Sequence, residues 1–164
     1  MATPTSLPAA QTTGNVLTAA YMNDLRGAFR VLQVVTGFTT TQVSFASATF
    51  VDTNLTATIT PQSTSSKILV YVSQGFGTRT ADTVSLRILR GSTTVNEFGH
   101  VNYSAADFIL NYGPFISFDS PATVSATTYK TQVARTSGTT TDFVNFGDLN
   151  GQQRSTIVLM EISA

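Results

Sequence analysis

The sequence predicts an all-β domain: an antiparallel β-sandwich of jelly-roll type, preceded by an extended N-terminal arm and one short α-helix. Three observations carry this. From Ile59 to Arg90, two strand patterns flank a polar, glycine-bearing loop. Ile68-Leu69-Val70-Tyr71-Val72 is too short for a buried helix and rich in β-branched residues, and Val84, Leu86 and Ile88 alternate with Ser85 and Arg87. Similar segments recur along the chain with short turn-forming connections, as in sandwiches and jelly rolls. Finally, 29 of the 164 residues are threonine, whose branched Cβ suits a pleated surface.

Three regions follow in order. Residues 1–16 hold Pro4, Pro8, several threonines and Gly14, and read as an extended arm. Residues 17–36 carry the expected helix, from about Ala19 to Val35. Thr18 is a suitable N-cap, and Leu17 is placed to staple onto Met22 across it. Met22, Leu25, Phe29 and Leu32 fall at 3-4-3 spacing, the seam of a coiled coil, with Arg26 and Arg30 off the stripe. Two heptads interrupted by Gly27 are too short to hold a coiled coil alone, so an amphipathic helix lying on its own domain and an oligomer seam both fit.

Residues 37–164 form the expected β-head. Strands are predicted near 42–46, 55–60, 67–74, 83–90, 93–98, 108–112, 114–119, 123–135, 141–146 and 155–162. Arg90-Gly91-Ser92 reads as a tight turn, with further turns at Asp119-Ser120-Pro121 and Ser137-Gly138. The last strand, Ser155–Ile162, is apolar on both faces for most of its length, and is expected to be covered on both sides. No internal repeat is present.

Composition narrows the function. Nine basic residues balance nine acidic ones, and charged residues make up only 11%, against about 25% in an ordinary soluble domain. A neutral, threonine-faced surface offers no footprint for nucleic acid or anionic lipid. It also gives little protection against self-association, which suits a subunit of an assembly. The absence of cysteine removes disulfides, thiolate catalysis and thiolate metal sites together. The N-terminus lacks the basic start and apolar core of a signal peptide, and no apolar run approaches the roughly 20 residues that span a bilayer. A soluble cytoplasmic product is expected.

Motifs for chemistry are few. His100 is the single histidine, and Glu97 three residues before it points away in a strand. Asp52, Asp82, Asp119, Asp142 and Asp148 sit beside turn signals, where capping accounts for them without a hydrolytic carboxylate pair. Asp148-Leu149-Asn150-Gly151 lacks the later ligands of a calcium loop, and no helix follows Gly75-Phe76-Gly77 to complete a phosphate site. No cofactor or metal is expected. One cluster fits carbohydrate binding: Phe98, Tyr103, Phe108, Tyr112, Phe115 and Phe118, interleaved with Asn96, Asn102, Asp107 and Asn111. Tyr103, Phe108, Tyr112, Asn102 and Asn111 are its candidate glycan contacts, and the competing expectation is that the aromatics fill the core or a subunit interface.

Five blocks, in consistent order, resemble the small β-domains of tailed-bacteriophage virion proteins, especially those of phages infecting aquatic bacteria. They are Asn15 to Arg26 (NVLTAAYMNDLR), Ile59-Thr60-Pro61 with Ser65 to Val70, Leu89 to Thr93, Asp119-Ser120-Pro121 running on to Thr128 to Gln132, and Ser155 to Ile162. The resemblance implies a virion structural protein, usually trimeric, with a jelly-roll-like head and no catalytic residues. Its partners would be two further copies and either tail or baseplate proteins or the major capsid protein. One placement is a short tail or baseplate fibre that docks by arm and helix and meets a host-surface glycan; the other is a capsid decoration or cement protein. A free carbohydrate-binding module is the reading from a different class. Under the trimer reading Met22, Leu25, Phe29 and Leu32, with Ile157, Leu159 and Ile162 of the last strand, bury the three-fold contact.

Overall fold

The computed structural model describes residues 13–14, 16, 18–20, 22, 31–78, 82–101, 109–146 and 153–163. Ten strands account for most of these: β1 (Val31–Thr39), β2 (Val43–Phe45), β3 (Val51–Ile59), β4 (Lys67–Thr78), β5 (Thr83–Arg90), β6 (Thr93–Val101), β7 (Ile109–Asp119), β8 (Thr127–Ser137), β9 (Asp142–Val144) and β10 (Ser155–Ile162). They form two antiparallel sheets. In the six-stranded sheet β1 pairs β10 and β10 pairs Lys67–Ser73 of β4. β9 takes over on the same side at Phe76–Gly77 and pairs β2 in turn, while β7 runs along the other side of β4. The four-stranded sheet runs β3-β8-β5-β6.

Period-two alternation decides which residues face inward. Along β3, Thr53, Leu55, Ala57 and Ile59 are buried while Asp52, Asn54, Thr56 and Thr58 are exposed. Ile68, Val70 and Val72 of β4, Val84, Leu86 and Ile88 of β5, Tyr129 and Val133 of β8, and Ile157 and Leu159 of β10 meet them between the sheets. At roughly 25 cal/mol per Å² of apolar surface, this layer is the main source of stability.

Polar side chains tie the layers. Arg90 Nη1 of β5 donates to both carboxylate oxygens of Asp119 on β7, at 2.8 and 2.7 Å, and the Tyr129 hydroxyl of β8 donates to Asp119 Oδ2 at 2.7 Å. Thr131 of β8 donates at 3.0 Å to Gln74 Oε1 of β4 and shares a 2.5 Å hydroxyl bond with Thr53. The fully buried Glu161 carboxylate accepts from Gln33 Nε2 at 2.6 Å and from the Gln62 backbone N–H at 2.7 Å. Two glycines permit close approach. A Cβ on Gly37 of β1 would overlap the Thr56 carbonyl oxygen of β3, so β1 crosses the opposite sheet only without a side chain there. Gly138, at φ 107°, lies against Asp82, whose carboxylate accepts from the Thr139 and Thr140 backbone N–H groups.

Several expectations are corrected. The helix expected to Val35 is not shown. Ala19, Ala20 and Met22 have helical backbone, the Met22 N–H bonding the Thr18 carbonyl at 3.0 Å, but residues 31–35 are strand. The expected stretches 108–112 and 114–119 merge from Ile109 onward into one strand, β7, because Pro114 is tolerated where β7 forms the sheet edge; Phe108 lies outside the described residues. β3 begins at Val51 rather than 55, and β8 at Thr127 rather than 123. Asp119 and Asp52 do not cap turns: one ties the two sheets and the other pairs with Lys130, while Asp142 is buried in β9. Arg90-Gly91-Ser92 is the tight β5–β6 turn expected, with Gly91 at φ 57°.

Candidate assembly surface

The two sheets present opposite chemistry to the outside. On the four-stranded sheet, Asp52, Gln132, Arg87 and Glu97 stand side by side across β3, β8, β5 and β6. Gln132 Nε2 donates to Asp52 at 2.7 Å, and Arg87 donates to Gln132 Oε1 at 2.6 and 2.9 Å while stacking 3.9 Å from the Phe50 ring centroid. Lys130 lies 2.9 Å from the Asp52 carboxylate. Hydrogen bonding to that ammonium, opposed by partial burial, holds the Asp52 carboxyl below the usual carboxylate range. A depression of about 220 Å³ opens beside this pair, where Asn54 (φ 62°) bulges out of the β3–β8 ladder. Asp52, Lys130 and Arg87 are thus bonded to one another directly or through Gln132.

The outer face of the six-stranded sheet does not follow that pattern. Register places Val34, Met160, Leu69 and Phe118 in one row across β1, β10, β4 and β7. Thr36, Val158, Tyr71 and Ile116 form the next row, and Phe38, Thr156, Ser73 and Pro114 a third. Eight of these twelve side chains are aliphatic or aromatic hydrocarbons or methionine, and none is charged. Val34 is 52% exposed, Phe38 62%, Tyr71 37%, Ile116 49% and Phe118 62%. Among the described residues, cations stand at the two ends, Lys67 beyond one row and Arg154 at the other, its guanidinium 4.0 Å from the Phe38 ring centroid. The neighbouring carboxylates, Glu161 and Asp119, are engaged with partners inside the fold. Four strands about 4.8 Å apart and three rows about 6.7 Å apart give a patch of roughly 400 Å². That is within the size of the largest apolar patch on a typical monomer, which is often a functional surface.

The residues expected at the three-fold contact divide. Ile157 and Leu159 are fully buried in the chain's own core, so they are corrected: the β10 side chains on the outer face are Thr156, Val158, Met160 and Ile162. Ile162 is half-buried at the end of the outer face, and Leu32 is half-buried on β1. Met22 is 42% exposed, and Leu25 and Phe29 lie outside the described residues. Of the glycan candidates, Asn102, Tyr103 and Phe108 lie outside the described residues, while Asn111 and Tyr112 are β7 residues opposite Phe76 and Gly75. Two aromatics of that cluster serve packing. Phe98 and Phe115 stack at 5.2 Å, and Phe115 meets Phe76 edge-on at 5.8 Å, all against the core. Phe118 projects outward, 62% exposed. The apolar rows are not legible in the sequence, because they depend on which strands become neighbours.

No protein-family model matches the chain, and no curated protein is similar to it. Among solved structures, the structure of infectious bursal disease virus Gx strain is similar at a TM-score of 0.40 and 13% identity, over 82% of this chain and 39% of that one. The chain thus spans well under half the length of the chain it matches.

Proposed function

We propose that the chain is a structural subunit of a tailed-bacteriophage virion: a short homotrimeric tail or baseplate fibre whose N-terminal region docks it and whose β-head projects outward toward the host surface. The observation that carries this reading is the uncharged apolar face of the six-stranded sheet, a surface made for burial in an assembly rather than for turnover. Strand order supports it. Without the three-residue strands β2 and β9, the sheets run β1-β10-β4-β7 and β3-β8-β5-β6, the double Greek-key order of a jelly roll. The five resembling sequence blocks supply the phage context. The protein works by assembly, with no reaction and no cofactor, and it is housed in the virion after synthesis in the host cytoplasm.

Quantitative mass spectrometry of purified virions tests this reading. A small multiple of three or six copies is the expected result. Hundreds of copies would replace the tail position with capsid decoration, and absence from virions would overturn the virion role and leave a free binding module.

A further inference from the structure

We infer that the outer face of the six-stranded sheet is covered by the same face of another copy of this chain. The inference goes beyond the proposed function: the contact is two-fold, distinct from the three-fold of the homotrimer, and it stands or falls without any virion.

The occupant follows from what the face lacks. A partner selected by charge needs a complementary pattern to read, and the three rows Val34–Phe118, Thr36–Ile116 and Phe38–Pro114 contain no charged side chain. The surface that matches a flat, apolar, hydroxyl-bearing pleat best is another such pleat, packed about 10 Å away as sheets pack within a sandwich. Two copies meeting here bring no like charges together at the centre, because Lys67 and Arg154 lie at opposite ends. The chain's zero formal charge adds no long-range repulsion.

Area sets the strength. Roughly 400 Å² per copy is about half of what one partner contributes to a standard stable interface. The face alone therefore gives concentration-dependent association. The outer edges of β1 and β7, which no described strand pairs, lie beside the apolar rows and are available to extend the contact.

A closed symmetric contact brings the patch centre of one copy near that of the next, and Tyr71, flanked by Val158 and Ile116, holds the centre. The cysteine-free chain makes this directly testable. Tyr71→Cys should cross-link to its own kind with a short bismaleimide, whereas Thr58→Cys, exposed on the opposite sheet, should not. Tyr71→Glu with Ile116→Glu should weaken self-association by about 100-fold or more in sedimentation, since each copy would confront the other with buried acids. Circular dichroism should show the sandwich retained in these variants. Should the double variant fail to fold, Phe118→Ser with Val34→Thr supplies the same comparison with milder changes. Equal cross-linking from both cysteine positions would overturn the inference, as would unchanged association of a folded face variant. A wild type that stays monomeric at millimolar concentration would overturn it too, while leaving docking to a different virion protein open to the virion measurement.

Discussion

Asp119 shows how much one side chain can organise. Its carboxylate takes two short contacts from Arg90 and one from the Tyr129 hydroxyl, joining β7 of one sheet to β5 and β8 of the other. Removing it strands a fully buried phenol and a largely covered guanidinium, so Asp119→Ala should cost about 2–3 kcal/mol in urea unfolding. Asp52→Ala removes an exposed pair and should cost under about 1 kcal/mol. Equal costs would contradict the inter-sheet role of Asp119. The pH dependences have opposite signs. Burial, and then the bond to Asp119, push the Tyr129 phenol above its ordinary value of 10.0. Its contribution is therefore complete below pH 10 and lost as pH rises beyond it, and Tyr129→Phe should flatten the alkaline fall in the urea midpoint. Asp52 is held below its ordinary 3.8, so its small contribution is complete above about pH 4 and lost under stronger acid.

At the scale of elements, Gly37 fixes where β1 can lie. A methyl group there would meet the Thr56 backbone and approach Ile157 Cγ2 at 3.1 Å, and neither main chain can yield locally. Gly37→Ala should destabilise by about 1–3 kcal/mol, whereas Gly99→Ala, which meets open space, should be close to neutral in the same denaturation experiment. The sequence made some elements plain and hid others for physical reasons. β5 and β6 were legible because alternation and a glycine turn with positive φ agree locally. β1 was not: Leu32 completes the spacing of Met22, Leu25 and Phe29, and only pairing with β10 turns the β-branched run Val34-Val35-Thr36 into a strand. The separate strands expected at 108–112 and 114–119 join because Pro114 sits on an edge strand, and edge position is a tertiary property. In β10 both residue sets are apolar, so parity alone could not say that Ile157 and Leu159 face the core while Val158 and Met160 face out. The assembly surface was hidden for the same reason, since its rows exist only once four strands from distant parts of the chain lie in register.

The whole molecule is a two-faced sandwich. One sheet shows solvent a ladder of mutually bonded charged and amide groups, and the other shows an uncharged apolar face on a chain with zero formal charge. Such a body is stable as a fold yet incomplete as a surface, which is the physical content of reading it as an assembly subunit. The measurement that tests this most directly is the solution mass of the purified protein by light scattering across a concentration series. The account predicts a mass that rises above the 17.4 kDa of the single chain as concentration increases. A mass fixed at 17.4 kDa throughout would contradict it.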